Sequence, residues 1–227
     1  MEFIDIFKKK YEKLIEEDVD SALKYAIDSF ELNGEVDILL YIADALMANE
    51  EFESANEYID KALRENCTDK FFAYSLKGET LFYLEKYKES RDAFNKVMKI
   101  KENNFFSTVY LVDIDIAEGK YLDAIRLIDK ILKSETLNIY DSAFMETKKG
   151  WIIFKYLGKQ EDAYSLFKDA LDKDEMCATA YVGLGSYYLY KENYEKAIEK
   201  YEKAIELGET YSIVFEGLDK AREMRGK

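Results

Sequence analysis

The feature that most constrains this chain is a small residue that returns along the sequence with a period near 34. It stands at Ala22, Ala55, Ser90, Ala124, Ala163 and Ala197, so successive separations are 33, 35, 34, 39 and 34 residues. Four residues further on come Ala26, Ile59, Phe94, Ile128, Phe167 and Tyr201, and seven further on Ser29, Ala62, Val97, Ile131, Ala170 and Ala204. Offsets of four and seven keep side chains on one face of an α-helix. A single helix cannot bury such a stripe alone, so six copies at one period read as stacked supersecondary units. With no proline and only 10 glycines in 227 residues, the chain has little material for β-turns or linkers. It is predicted to be helical throughout.

The last copy shows what the unit is. Over 181–204 it reads YVGLGSYYLYKENYEKAIEKYEKA, with Tyr181, Leu184, Gly185 and Tyr188 on one helical stripe and Ala197, Tyr201 and Ala204 on another. Small residues facing large ones let two antiparallel helices approach closely, with Asn193 near the turn between them. The order Tyr-x2-Leu-Gly-x2-Tyr, then Ala-x3-Tyr, resembles the tetratricopeptide repeat (TPR) unit. Tyrosines take the places where that family usually carries tryptophan and phenylalanine. The resemblance implies an all-α fold, a right-handed TPR superhelix (an α-α solenoid) forming a single domain over 1–227. Six helix-turn-helix repeats are expected at about 3–35, 36–70, 71–104, 105–143, 144–177 and 178–211, with a capping helix at 212–227.

Local signals sharpen this outline. Asn33-Gly34 and Leu207-Gly208 read as helix stops, and Thr68-Asp69 as a helix start. The separation of 39 leaves five surplus residues near 134–141, as an extended loop or an added helical turn. Lys10 takes the place of Gly185 in the first unit, the least regular of the six. Trp151 takes it in the fifth, which implies either yielding neighbours, with Gly150 beside it, or a locally rotated helix. The final helix is expected to turn Ile213, Leu218 and either Val214 or Phe215 inward.

Composition excludes several classes of function. Thirty-three basic against 47 acidic side chains give a net charge of −14, a field that repels phosphate backbones and argues against nucleic-acid binding. There is no histidine, which removes Ser-His-Asp and Cys-His nucleophiles and the commonest neutral metal ligand. No glycine-rich phosphate loop occurs. Cys67 and Cys177 lack any CxxC spacing and are expected to be reduced thiols. The amino-terminal MEFIDIFKKK has the wrong order for a secretory signal, and no apolar run of about 18 residues is present. These features predict a soluble cytoplasmic protein with no metal and no cofactor.

In TPR proteins the second, fifth, ninth and twelfth residues of each first helix line the concave groove. Carried onto this sequence, the resemblance implies a peptide-binding set of Leu40, Asp44, Met47, Phe72, Ser75, Glu79, Phe82, Phe106, Val109, Asp113, Ile116 and Lys148. In the fifth unit these places are Met145, Lys148, Ile152 and Lys155. Asp44, Glu79 and Asp113 recur at one place in three consecutive units, forming an acidic ladder flanked by Phe72, Phe82 and Phe106. The 47 acids of the composition would also produce such a coincidence fairly often. No unit carries the Lys and Asn pair with which chaperone-tail TPR domains clamp a carboxylate. The chain is therefore expected to be a non-enzymatic scaffold for a protein segment with basic and apolar residues. The alternative is self-assembly into homo-oligomers through the terminal helices. Its basis is the apolar first helix (Phe3, Ile4, Ile6, Phe7, Tyr11, Leu14 and Ile15) and the basic end at Lys220–Lys227.

Overall fold

The computed structural model describes residues 3–135 and 137–226. Met1, Glu2, Thr136 and Lys227, which the expected 1–227 domain includes, lie outside them. Thirteen helices follow one another in pairs among the described residues. The pairs are α1 (Phe3–Glu17) and α2 (Val19–Asn33), α3 (Ile38–Ala48) and α4 (Phe52–Arg64), and α5 (Lys70–Tyr83) and α6 (Tyr87–Ile100). They continue with α7 (Phe105–Ala117) and α8 (Tyr121–Ile131), α9 (Ile139–Tyr156) and α10 (Gln160–Lys173), and α11 (Ala178–Tyr190) and α12 (Tyr194–Glu206). The unpaired α13 (Ser212–Arg225) follows. The helices gather into two compact units, Met1–Ile114 and Asp115–Lys227.

Short polar signals start and stop these helices. Asp69, Asn104, Asn138 and Asn193 each accept a backbone N–H three residues ahead, at 2.8–3.2 Å, satisfying a donor that the first turn would otherwise leave open. Gly34 ends α2 in the left-handed region, φ 68°, with its N–H on the Phe30 carbonyl. The turn inside each of the last five pairs passes through one left-handed residue: Glu50, Glu85, Gly119, Gly158 and Glu192.

Within each unit a helix packs on its own partner and on the next pair. In the first unit α3 touches α2, α4 and α5, and in the second α11 touches α9, α10, α12 and α13. First helices thus form one layer and second helices the other. Every residue of the repeating stripe on α2, α4, α6, α8, α10 and α12 is buried, none more than 6% exposed.

Glycines of the first helices admit the large members of that stripe. A Cβ on Gly78 would stand 2.7 Å from the Phe94 ring, and one on Gly185 would stand 2.8 Å from Tyr201. The same closeness lets the Ser90 hydroxyl donate to the Gly78 carbonyl at 2.6 Å. The following first helix presses on the same ring. Gly183 lies as close to Phe167, and Gly217 as close to Tyr201. Gly217 follows Gly183 by 34 residues, so α13 packs like the first helix of a further repeat. It buries Val214, Leu218 and Ala221, while Ile213 and Phe215 are 47% and 44% exposed. Of the alternatives in the sequence, Val214 is the inward residue, and Ile213 is not.

The fifth pair departs from register. Gly150, not Trp151, holds the close place against Phe167, with a would-be Cβ 2.6 Å from the ring. The helix is rotated by one position relative to α11. Trp151 is thereby spared an impossible contact and packs half-buried, 5.6 Å from Phe167 and 6.0 Å from Phe154 between ring centroids. The surplus residues resolve as helix: α9 begins at Ile139 and runs 18 residues, against 13 in α11.

Candidate functional site

The first unit brings two of the three ladder acids together. Asp44 on α3 and Glu79 on α5 share a depression of about 360 Å³ with Met47, Ala48, Glu50, Phe52 and Tyr83. Its lining carries three carboxylates and, among the described residues, no lysine or arginine. Neighbouring helices hold the two inner carboxylates in place. Tyr11 of α1 donates its hydroxyl to Asp44 Oδ2 at 2.8 Å, and Tyr110 of α7 donates to Glu79 Oε1 at 2.7 Å. The Tyr11 hydroxyl also reaches the Tyr41 carbonyl at 2.9 Å. Its ring meets Tyr41 edge-on at 5.0 Å.

Burial dominates the electrostatics of this pair. It pushes the Asp44 carboxyl above the usual aspartate range, against the lowering effect of the Tyr11 hydroxyl. Glu79 is raised for the same reason and by repulsion from Asp44, again opposed by its tyrosine donor. Burial beside these acids also raises the phenols of Tyr11 and Tyr110, which remain protonated donors. Both carboxylates thus carry a charge that the surroundings only partly stabilise, and an arriving ammonium or guanidinium would complete them. Apart from Glu50, the rest of the wall is apolar or aromatic. Phe52 stacks on Tyr83 at 4.7 Å, and Met47 Sδ accepts the Thr80 hydroxyl at 3.0 Å.

The other expected site residues fall in several places. Leu40 is fully buried in the core of the first unit, so it supports the site and cannot line it. Phe72 packs on Tyr41, and the Ser75 hydroxyl turns back onto the Phe71 carbonyl. Phe82 and Phe106 both meet the Tyr110 ring edge-on, at 5.2 and 4.9 Å. Val109 and Asp113 are part-buried on α7, outside the lining of the depression. Ile116 and Lys148 line a different cavity, in the second unit. The one-residue rotation of α9 buries Met145 away from that cavity, 0% exposed, and leaves Ile152, 1% exposed, in its wall beside Phe144 and Trp151. Glu50, Phe52 and Tyr83 escape a reading confined to four places per first helix, because they belong to the turns and helix ends. Tyr11 and Tyr110 escape it because their role spans two repeats.

Comparison with known proteins agrees with this architecture. Residues 73–104 and 178–211 each match a family model of the tetratricopeptide repeat. A TPR repeat-containing protein of Methanocaldococcus jannaschii is 31% identical over 120 residues, covering 53% of this chain and 20% of its own length. The chain thus matches about a fifth of that relative. A tetratricopeptide repeat protein from Parabacteroides merdae superposes with a TM-score of 0.72 at 18% identity, over 91% of this chain and 79% of the other. YrrB, described as a TPR protein with an unusual peptide-binding site, superposes at 0.55 and 25% identity, over 86% and 97%. Among the described residues no helix is long and apolar enough to cross a membrane. The repeating stripe, the glycine–aromatic contacts and these matches agree that the chain carries tetratricopeptide repeats, matched at 73–104 and 178–211, within an all-α helical-repeat fold.

Proposed function

We propose that the chain is a non-enzymatic interaction scaffold whose six repeats and cap serve as one array. Its first unit takes a protein segment in which lysine or arginine alternates with apolar residues. The observation that carries this reading is the Asp44–Glu79 pair: two part-buried carboxylates, each held by a tyrosine, in a depression otherwise walled by Met47, Ala48, Glu50, Phe52 and Tyr83. A cationic side chain would enter between the acids, and an adjacent apolar side chain would rest on the stacked Phe52 and Tyr83 rings. Such a site gains rate and specificity from its charge and loses both as salt rises. An array of labelled peptides alternating Lys or Arg with Leu or Phe tests it against the same array carrying Glu for the cations. The cationic set should bind, and should lose about tenfold or more in affinity with the Asp44→Asn/Glu79→Gln variant. Equal binding of both sets, or no effect of the variant, refutes the reading.

Self-assembly is favoured by one observation. Phe3 and Ile6, three apart on α1, are 37% and 54% exposed. Phe7 and Tyr11, in contrast, are buried against Tyr25 and Tyr41 within the unit, so the apolar surplus of α1 is smaller than its sequence suggests. Light scattering of Phe3→Ser/Ile6→Ser beside the parent chain across concentration decides it. A parent that stays monomeric eliminates this reading.

A further inference from the structure

The second unit contains an open cavity of about 330 Å³, lined by Ile116, by residues of α9 and α11, and by the approach to α13 and its first turn. Its apolar wall includes Phe144, Trp151, Ile152, Val182 and Ile213. Trp151 is the only tryptophan of the chain. Gly150 takes the close contact with Phe167, and the half-buried indole of Trp151 packs beside the core while also lining this cavity.

The charge here is opposite to that of the first unit. Lys148 lies three residues before Trp151 and Lys155 four after it, so all three share one face of α9, and all three line the cavity. The ammonium groups stand over the Phe144 and Tyr156 rings at 5.6 and 5.4 Å. One carboxylate, Glu209, also lines the space, and its Oε1 accepts the Thr210 backbone N–H at 3.1 Å. Two lysines and one glutamate are thus the charged side chains of the lining. The buried Thr147 hydroxyl adds a polar group to the wall.

We propose that this cavity binds a small amphipathic carboxylate, with its apolar body against Trp151, Ile152 and Val182 and its carboxylate between Lys148 and Lys155. The volume is at the lower end of the roughly 300–1,000 Å³ typical of small-molecule sites, which suits a compact organic acid better than a folded partner. An apolar enclosure with few convergent polar groups is the general form of such a site. The ligand is of opposite sign to the segment proposed for the first unit, so either proposal can fail without the other.

The single tryptophan reports on the cavity directly. Decanoate, kept below its micelle-forming range, is titrated against the full chain while Trp151 emission is followed, with 1-decanol as the uncharged control. Decanoate should change the emission saturably. Decanol should bind about tenfold more weakly, and the Lys148→Met/Lys155→Met variant should lose a similar factor or more for decanoate. Val182→Phe, which fills the cavity, should abolish the change while far-ultraviolet circular dichroism stays that of the parent. If Val182→Phe does not fold, the lysine variant decides alone, since Lys155 is exposed and Lys148 only part-buried. No saturable change with decanoate, equal affinity for decanol, or an unaltered lysine variant overturns the proposal.

Discussion

Replacing Gly150 by alanine tests the rotated register of the fifth pair at a single atom. The new Cβ would stand 2.6 Å from Phe167 Cε1 and 2.9 Å from Cδ1, distances that packed carbons do not tolerate. The ring cannot retreat. It is fully buried, and Gly183 on the following first helix approaches the same ring atoms so closely that its own Cβ would be 2.5 Å away. Overpacking of this kind costs about 1–3 kcal/mol. An exposed helical glycine gains roughly 1 kcal/mol on becoming alanine. The net expectation is a loss of up to about 2 kcal/mol where an unconstrained helix would show a gain. Urea unfolding followed by Trp151 emission is the assay, since that indole lies 5.6 Å from the Phe167 ring. The decisive form is a double-mutant cycle with Phe167→Leu, which removes the clashing ring atoms. In that background Gly150→Ala should become neutral or stabilising, giving a coupling of at least about 1 kcal/mol. A stabilising Gly150→Ala in the parent chain, with no coupling, would refute the assignment of the close contact to Gly150.

Three further outcomes follow from the same contacts. Asp44 and Glu79 have carboxyls raised above their unfolded values, so folding is favoured where they are protonated and that contribution is lost as pH rises through the raised range. Asp44→Asn/Glu79→Gln should therefore be more stable than the parent at pH 7 and lose this advantage near pH 4, as followed by thermal melts across pH. Tyr11→Phe removes a donor to both Asp44 and the Tyr41 carbonyl and should destabilise by about 1–3 kcal/mol in urea melts; an unchanged midpoint would show that neither bond contributes. Asn193→Ala removes the acceptor at the start of α12 and should cost about 0.5–2 kcal/mol, recovered in large part by Asp at the same place.

Much of the fold was legible because its strongest determinants are local and periodic. The small residue at Ala22 and its equivalents, with the residues four and seven further on, is buried in every pair, and the stops at Gly34 and Gly208 and the start at Asp69 stand where expected. The fifth pair was less legible, because a period counts residues and cannot see a helix turning about its axis. Trp151 occupies the aligned place in sequence while Gly150 occupies it in space. The five surplus residues were placed correctly but left open between loop and helix, and Asn138 decides for helix by capping α9 early. The site was legible only in part. The resemblance put Asp44 and Glu79 at equivalent groove places of consecutive units, and the structure brings them into one depression, but the resemblance gave no sign that Leu40 is wholly buried. Nor could spacing reveal Tyr11 and Tyr110, which reach their acids from 33 and 31 residues away. The cavity of the second unit was legible only in part: Ile116, Lys148, Ile152 and Lys155 stand at groove places, while Phe144, Trp151 and the approach to α13 do not.

The central claim, that Asp44 and Glu79 are the charged heart of a site for a basic segment, is tested most directly by titrating those two carboxyls. Carbon-detected NMR of their side chains across pH, with and without a saturating Lys-and-Leu peptide selected from the array, reads the effect at the atoms concerned. The account predicts that both groups titrate above the ordinary carboxylate range in the free chain and that both fall when the peptide binds. Carboxyls that titrate at the same pH with and without the bound peptide would contradict it.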